Sequence, residues 1–228
     1  MITKIISVNE ANTIAINDAN WERFANRRKI IIEDLEQINE ENISIYDAIT
    51  PKNWTNNENG TITFNDEILK VSDDTHWTHI SNWLSHYELW KEKNEEILIL
   101  EDDITVDKEV YNNALSVIEE FKTINEDYKL LYLQSTSPWF TGLKHYDVSD
   151  IEKKEGNLFK LKSTAFDVSG TGAYYIDAKT SAFLSETAKR YNIRPTDGYL
   201  HVFLMEGILK YYIPTNYQDW FKLTRKTE

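Results

Sequence analysis

The chain has 228 residues, 41% of them apolar and 13% aromatic, with no cysteine and a formal net charge of -13. That is enough apolar material for one sizeable α/β core and too much for a disordered chain, while the acidic balance disfavours a protein whose main task is gripping a phosphate backbone. Disulfides and thiolate metal sites are excluded, and no run approaches the ~18 apolar residues of a membrane span or the apolar core of a signal peptide, so a soluble cytoplasmic protein is expected.

Ile2 to Val8 is rich in β-branched residues and reads as a first strand, ended by Asn9-Glu10-Ala11-Asn12. Trp21, Phe24, Ile31, Leu35 and Ile38 are spaced as on a helix, and Arg27-Arg28-Lys29 within it forms a small basic patch. Ile43 to Ile49 reads as a second strand, stopped at Thr50-Pro51. Lys52 to Asp74 is polar, with a strong loop signal at Asn56 to Gly60, and reads as a surface excursion with room for a hairpin around Thr61 to Phe64. From His76 to Lys93 the spacing of Ile80, Trp83, Leu84, Tyr87 and Trp90 predicts a helix with one apolar face.

Ile97-Leu98-Ile99-Leu100 is a continuous apolar run, the mark of a strand buried on both faces in a mainly parallel sheet. A helix is predicted over Asp107 to Ile124, and strands at Leu130 to Leu133, Phe159 to Leu161 and Thr171 to Ile176. The last of these is entered through Gly170 and Gly172. Helices at Ala178 to Arg190 and Asp197 to Leu204 and a strand at Tyr211 to Pro214 complete the pattern. Strands and helices alternate without a repeat or a linker, which predicts an α/β fold. It is read as a single Rossmann-like domain over residues 1–228, with a mostly parallel central sheet flanked by helices.

Glu101-Asp102-Asp103 follows the buried run at once. In open α/β sheets, ligands bind beyond the carboxyl ends of the strands, where such side chains project. In extended geometry Glu101 and Asp103 would point one way and Asp102 the other. Carboxylates repel an anionic ligand such as a phosphate, but a divalent ion bridging carboxylate and phosphate oxygens resolves the conflict. With oxygen donors and no thiols the expected ion is Mg²⁺ or Mn²⁺. A solvated acidic turn at the start of the next helix is the competing explanation.

Four segments in order resemble glycosyltransferase family 25: Leu84-Ser85-His86-Tyr87-Glu88-Leu89-Trp90, Ile97 to Asp103, Gly170-Thr171-Gly172-Ala173-Tyr174-Tyr175-Ile176, and Pro195-Thr196-Asp197. The resemblance spans roughly residues 76–214 and leaves residues 1–75 as the nucleotide-side half. It implies a GT-A-like fold, a UDP-sugar donor, a Mn²⁺-type ion and inversion at the anomeric carbon. By that match Asp103 is a metal ligand, with Asp102 beside it. Glu101 then lies nearer the nucleoside ribose, and Asp197 becomes the general base on the acceptor side. The family's Asn-Leu-Asp-Arg-like run after the first strand is reduced here to Asn9, with Arg23, Arg27 and Arg28 further on.

Other residues carry two readings each. His86 belongs either to the core or to the donor site. His201, four residues after Asp197, is either a further metal ligand or a local hydrogen-bonding partner of Asp197. Gly170 and Gly172 either allow the backbone to approach a donor or mark a bulge. Trp139 and Phe140 could hold an acceptor, and Gln218-Asp219-Trp220 could close over the donor. The acceptor expected is a glycan or glycolipid. An Asn-, Ile- and Lys-rich composition also suits a phage, and with it a DNA acceptor carrying hydroxymethylated bases, for which Arg190, Arg194, Lys222, Arg225 and Lys226 offer a basic rim. A third possibility is a binding module that keeps the fold without turnover.

Overall fold

The computed structural model describes residues 1–9, 18–38, 40–57, 59–73, 75–92, 95–134, 150–165, 170–216 and 220–221, with 18–22 described by backbone alone. The apolar runs become the strands of one eight-stranded sheet: β1 (Ile2–Ser7), β2 (Ile43–Asp47), β6 (Ile97–Glu101), β7 (Lys129–Tyr132), β8 (Ile151–Glu155), β9 (Leu158–Leu161), β10 (Ala173–Ile176) and β11 (Lys210–Pro214). Their spatial order is β2-β1-β6-β10-β7-β11-β9-β8. β1 pairs in parallel with both β2 and β6, and β7 with β11. β10 lies antiparallel between β6 and β7, and β9 antiparallel between β11 and β8. Six of these eight strands therefore run one way and two the other, a mostly parallel sheet with a reversed strand in the middle.

Side chains of β6 show why the run is continuously apolar. Ile97 and Ile99 pack to one face of the sheet and Leu98 and Leu100 to the other, all fully buried. On the first face lie α2 (Trp77–Trp90), α4 (Ala178–Thr187) and α5 (Thr196–Met205). On the second lie α1 (Asp18–Ile38) and α3 (Lys108–Lys122), through Ile31, Ile38, Tyr111, Ala114, Ile118 and Phe121. The result is a GT-A-like, three-layer α/β/α arrangement. The predicted apolar face of α2 is buried as a set, with Trp83 stacked on Tyr87 and Trp90 on Tyr199. Asp107 caps α3 by accepting from the backbone N–H groups of Glu109 and Val110.

The polar stretch after β2 is more ordered than its composition implies. It forms a three-stranded antiparallel sheet of β3 (Trp54–Asn57), β4 (Thr61–Phe64) and β5 (Glu67–Lys70). Ile62, Phe64 and Leu69 point inward and join the core cluster that holds the apolar face of α2, while Thr61, Thr63 and Lys70 lie outside together with Ile68, an apolar side chain left 72% exposed. Among the described residues no helix is long and apolar enough to cross a membrane.

Candidate active site

The chain runs from β1 outward to β2, then crosses back to place β6 on the other side of β1. The strand order therefore reverses at β1, and crevices at the carboxyl ends of strands around such a reversal are where open α/β sheets hold ligands. A cleft of about 140 Å³ opens there. Its walls come from the carboxyl ends of β1 (Ile6 to Val8) and β6 (Glu101 to Asp103), from the residues following β2 (Ala48 to Pro51), from Phe24 and Arg27 of α1, and from α2. Trp77, Thr78, Ser81, Asn82 and Ser85 form the face of α2 turned to the cleft, opposite the Ile80, Trp83, Leu84 and Tyr87 face that fills the core. Ser85 fixes the loop after β2 by accepting from the Ile49 backbone N–H at 2.8 Å.

The three carboxylates are held in three different ways. Glu101 Oε1 accepts from His86 Nε2 at 3.0 Å, Thr171 Oγ1 at 2.5 Å and Asn82 Nδ2 at 3.2 Å. Burial alone would raise its carboxyl, but the His86 ring and the bonds from Thr171 and Asn82 outweigh burial and hold it below the usual carboxylate range. Asp102 accepts from Ser7 Oγ at 2.7 Å, and burial nonetheless pushes it up. Asp103 is pushed up to about 7, first by burial and then by the charges of Glu101 and Asp102, with Arg27 opposing.

The simple alternation expected of a strand does not describe this cluster. β6 ends at Glu101 and the chain turns at Asp102-Asp103. Both aspartates consequently face Arg27, whose Nη1 lies 3.6 Å from Asp102 Oδ1 and Nη2 4.0 Å from Asp103 Oδ2. Each aspartate thus has one oxygen within 4.0 Å of the same guanidinium. Oxygen donors of this kind suit Mg²⁺ or Mn²⁺, which complete their shells with water and phosphate oxygens. Among the described residues no three His, Asp or Glu side chains gather into a ready-made ligand set.

The remaining candidates fall around this centre. His86 is fully buried, bonded through Nδ1 to Tyr174 Oη at 2.7 Å and through Nε2 to Glu101, so it holds the carboxylate from behind and does not line the cleft. Gly170 has a left-handed backbone at φ +85°, and its N–H donates to Asp197 Oδ2 at 2.9 Å. Gly172 donates to Gln134 Oε1 at 2.7 Å, and a Cβ there would stand 2.7 Å from the same oxygen. The glycine pair thus brings the backbone close to Gln134 and Asp197. Asp197 opens α5, its Oδ1 accepting from the Gly198 N–H at 2.7 Å, and lies outside the lining of the cleft. It is tied to the cleft through its neighbour Thr196, which donates to Asn82 Oδ1 at 2.5 Å while Asn82 donates to Glu101. His201, one turn after Asp197 on α5, also lies outside that lining; burial lowers its pKa against the opposing charge of Asp197, and its buried Nδ1 has no hydrogen-bond partner among the described residues, so the expected local bond to Asp197 is not made there. Asn9 donates to Asp47 Oδ2 at 3.0 Å, beside Arg28, and belongs to a separate hollow. Trp139, Phe140, Gln218 and Asp219 lie outside the described residues; Trp220 is buried in the core.

Sequence reasoning notes Arg27 within a basic patch without placing it against the carboxylates, and does not single out Ser7, Asn82 and Thr171 as site residues. The available signals are weak ones: a basic pair on an otherwise amphipathic helix, and a small polar stripe opposite the apolar face of α2.

A family model for glycosyltransferase family 25 (LPS biosynthesis protein) matches residues 19–200. The class of the protein is therefore a glycosyl-transferring enzyme of α/β fold. The chain belongs to glycosyltransferase family 25. Solved structures resemble it only loosely. A mannose-1-phosphate geranyltransferase from Thermus thermophilus is 13% identical with a TM-score of 0.44, over 93% of this chain and 73% of that one. A structure described as a glucose-1-phosphate thymidylyltransferase from Bacillus anthracis, in complex with sucrose, is 14% identical with a TM-score of 0.41, over 93% and 86%. No curated protein matches the sequence.

Proposed function

We propose that the chain moves a hexose from a UDP-sugar to a hydroxyl of a glycan or glycolipid, with inversion at the anomeric carbon and with Mn²⁺ or Mg²⁺ as cofactor. The observation that carries this reading is the convergence of Asp102 and Asp103 on one positive group, in a cleft at the point where the strand order reverses. Held by Asp103 and Asp102, the ion would supply positive charge to the departing diphosphate. The cleft offers apolar and aromatic walls for the nucleoside in Val8, Phe24, Ile49, Pro51 and Trp77. Glu101, kept anionic by His86, Thr171 and Asn82, stands on the ribose side in this reading.

Asp197 takes the proton from the attacking hydroxyl. Backbone N–H groups of Gly170 and Gly198 fix its two oxygens, and the Thr196–Asn82–Glu101 chain ties α5 to the donor side. A base on one side and a departing diphosphate on the other suit a single displacement, hence inversion. The reading takes residues 1–228 as one catalytic unit, with residues 1–75 on the nucleotide side and 76–214 as the core. A DNA acceptor has no observation on its side: Arg190 follows α4 and Arg194 precedes α5, while Lys222, Arg225 and Lys226 lie outside the described residues.

The test is turnover of a panel of UDP-hexoses, with and without Mn²⁺, in the presence of lipopolysaccharide-derived acceptors. Transfer to an acceptor, with the product's anomeric configuration opposite to that of the donor by NMR, is the expected result. Donor binding without any turnover would instead make the chain a binding module.

A further inference from the structure

Arg27 holds a place that the reaction described above does not use. Its guanidinium spans Asp102 and Asp103 at 3.6 and 4.0 Å. Both separations exceed the roughly 2.7–2.9 Å of a closed charge-assisted hydrogen bond, so the attraction is electrostatic and leaves the side chain unclamped by the pair. Its neighbour on α1 is placed differently: Arg28 is anchored to Asp47 at 2.8 Å and to the Ser7 carbonyl at 3.2 Å. Arg23, one turn before Arg27, is exposed and feels the same two aspartates together with the repulsion of Arg27. The Phe24 ring lies 5.9 Å from Arg27 Cζ and presents its aromatic face to the guanidinium.

A divalent ion of this type binds carboxylate oxygens at about 2.0–2.1 Å. Shared by Asp102 Oδ1 and Asp103 Oδ2, it would compete for the space and the charge that Arg27 now serves. We propose that Arg27 and the divalent cation are alternative partners of the Asp102–Asp103 pair. Arg27 neutralises the pair in the absence of donor; the arriving cation releases it to the phosphate oxygens of the nucleotide. The proposal rests on the donor-site reading given above and adds a consequence to it. A released guanidinium gains from an incoming diphosphate, so cation and nucleotide each raise the affinity for the other. A chain of net charge -13 is thereby kept from collecting divalent ions at this site when no donor is present.

The experiment measures Mn²⁺ binding to the full chain by electron paramagnetic resonance, with and without UDP, for wild type, Arg27→Gln and Arg27→Lys. Arg27→Gln is expected to bind Mn²⁺ alone at least about fivefold more tightly than wild type, and to lose a similar factor from the enhancement caused by UDP. Arg27→Lys keeps the charge and stays close to wild type toward Mn²⁺ alone, which separates electrostatics from packing and serves if the Gln variant does not fold. Unchanged or weaker Mn²⁺ binding in Arg27→Gln overturns the proposal, as does an absence of Mn²⁺ binding in every protein with UDP present. UDP-hexose turnover, followed in parallel, distinguishes the two failures: turnover that is indifferent to Mn²⁺ removes the exchange and leaves the transferase reading standing.

Discussion

Asp103 closes the run that begins at Ile97, and its carboxyl is pushed up to about 7 by burial and by the adjacent charges of Glu101 and Asp102. A carboxyl with a folded pKa above its unfolded value favours the fold fully below about 3.9, and that contribution is lost as pH rises through about 7. Asp103→Asn should therefore stabilise the ligand-free protein at pH 8, by on the order of 2 kcal/mol, and change it little at pH 4. Urea unfolding at the two pH values checks this, and the same variant should lose donor-dependent stabilisation. Glu101 has the opposite sign. Held below its usual range, it contributes stability present above the unfolded carboxylate value and lost as pH falls through the lower folded one. His86→Ala removes its buried partner and should cost about 3 kcal/mol by the same measurement. Asp197→Asn, with donor binding retained, should lower turnover by about 10²- to 10⁴-fold.

The acidic triplet is legible in the sequence because three carboxylates after four apolar residues are unusual, and its order with the Gly170–Ile176 and Pro195–Asp197 segments gives it meaning. The orientation of its members is not legible. Strand alternation stops where β6 stops, and the turn that sends Asp102 and Asp103 toward the same arginine has no periodic signal. His86 cannot be assigned from spacing either; only the Tyr174 and Glu101 contacts show it to be a buried support of the site.

At the scale of elements, the chain enters β10 through Gly170, at φ +85° and with a would-be Cβ 3.0 Å from Gln134 Nε2. Gly170→Ala should destabilise the protein by about 1–2 kcal/mol through the left-handed backbone alone. It should also disturb the bond to Asp197, so activity falls further than stability predicts. The small sheet of β3, β4 and β5 reads from its polarity as a surface excursion. Asn and Thr are common in it, the exposed Ile68 breaks the alternation of β5, and among its strand residues only Ile62, Phe64 and Leu69 are fully buried against the core. Phe64→Ala, at a position 2% exposed, should cost about 3–5 kcal/mol in a urea titration, as a core residue would and a loop residue would not. The reversed direction of β10 is likewise invisible, since a strand buried on both faces has the same composition whichever way it runs.

Over the whole molecule, an acidic chain carries a local basic face, Arg23, Arg27 and Arg28 of α1, at the carboxyl edge of β1, β2 and β6. Net charge alone therefore says little about where an anionic donor would settle; the strand order says more, because it puts the reversal point, the carboxylates and the arginines at one cleft. The measurement that tests the central claim most directly is UDP release from a panel of UDP-hexoses by wild type and Asp103→Ala, in Mn²⁺ and in metal-free buffer. The account predicts that at least one UDP-hexose is turned over in Mn²⁺, and that Asp103→Ala, still folded by circular dichroism, loses this turnover. Equal turnover by Asp103→Ala, or a wild type that neither binds nor turns over any UDP-hexose, would contradict the assignment of this cleft as the donor site.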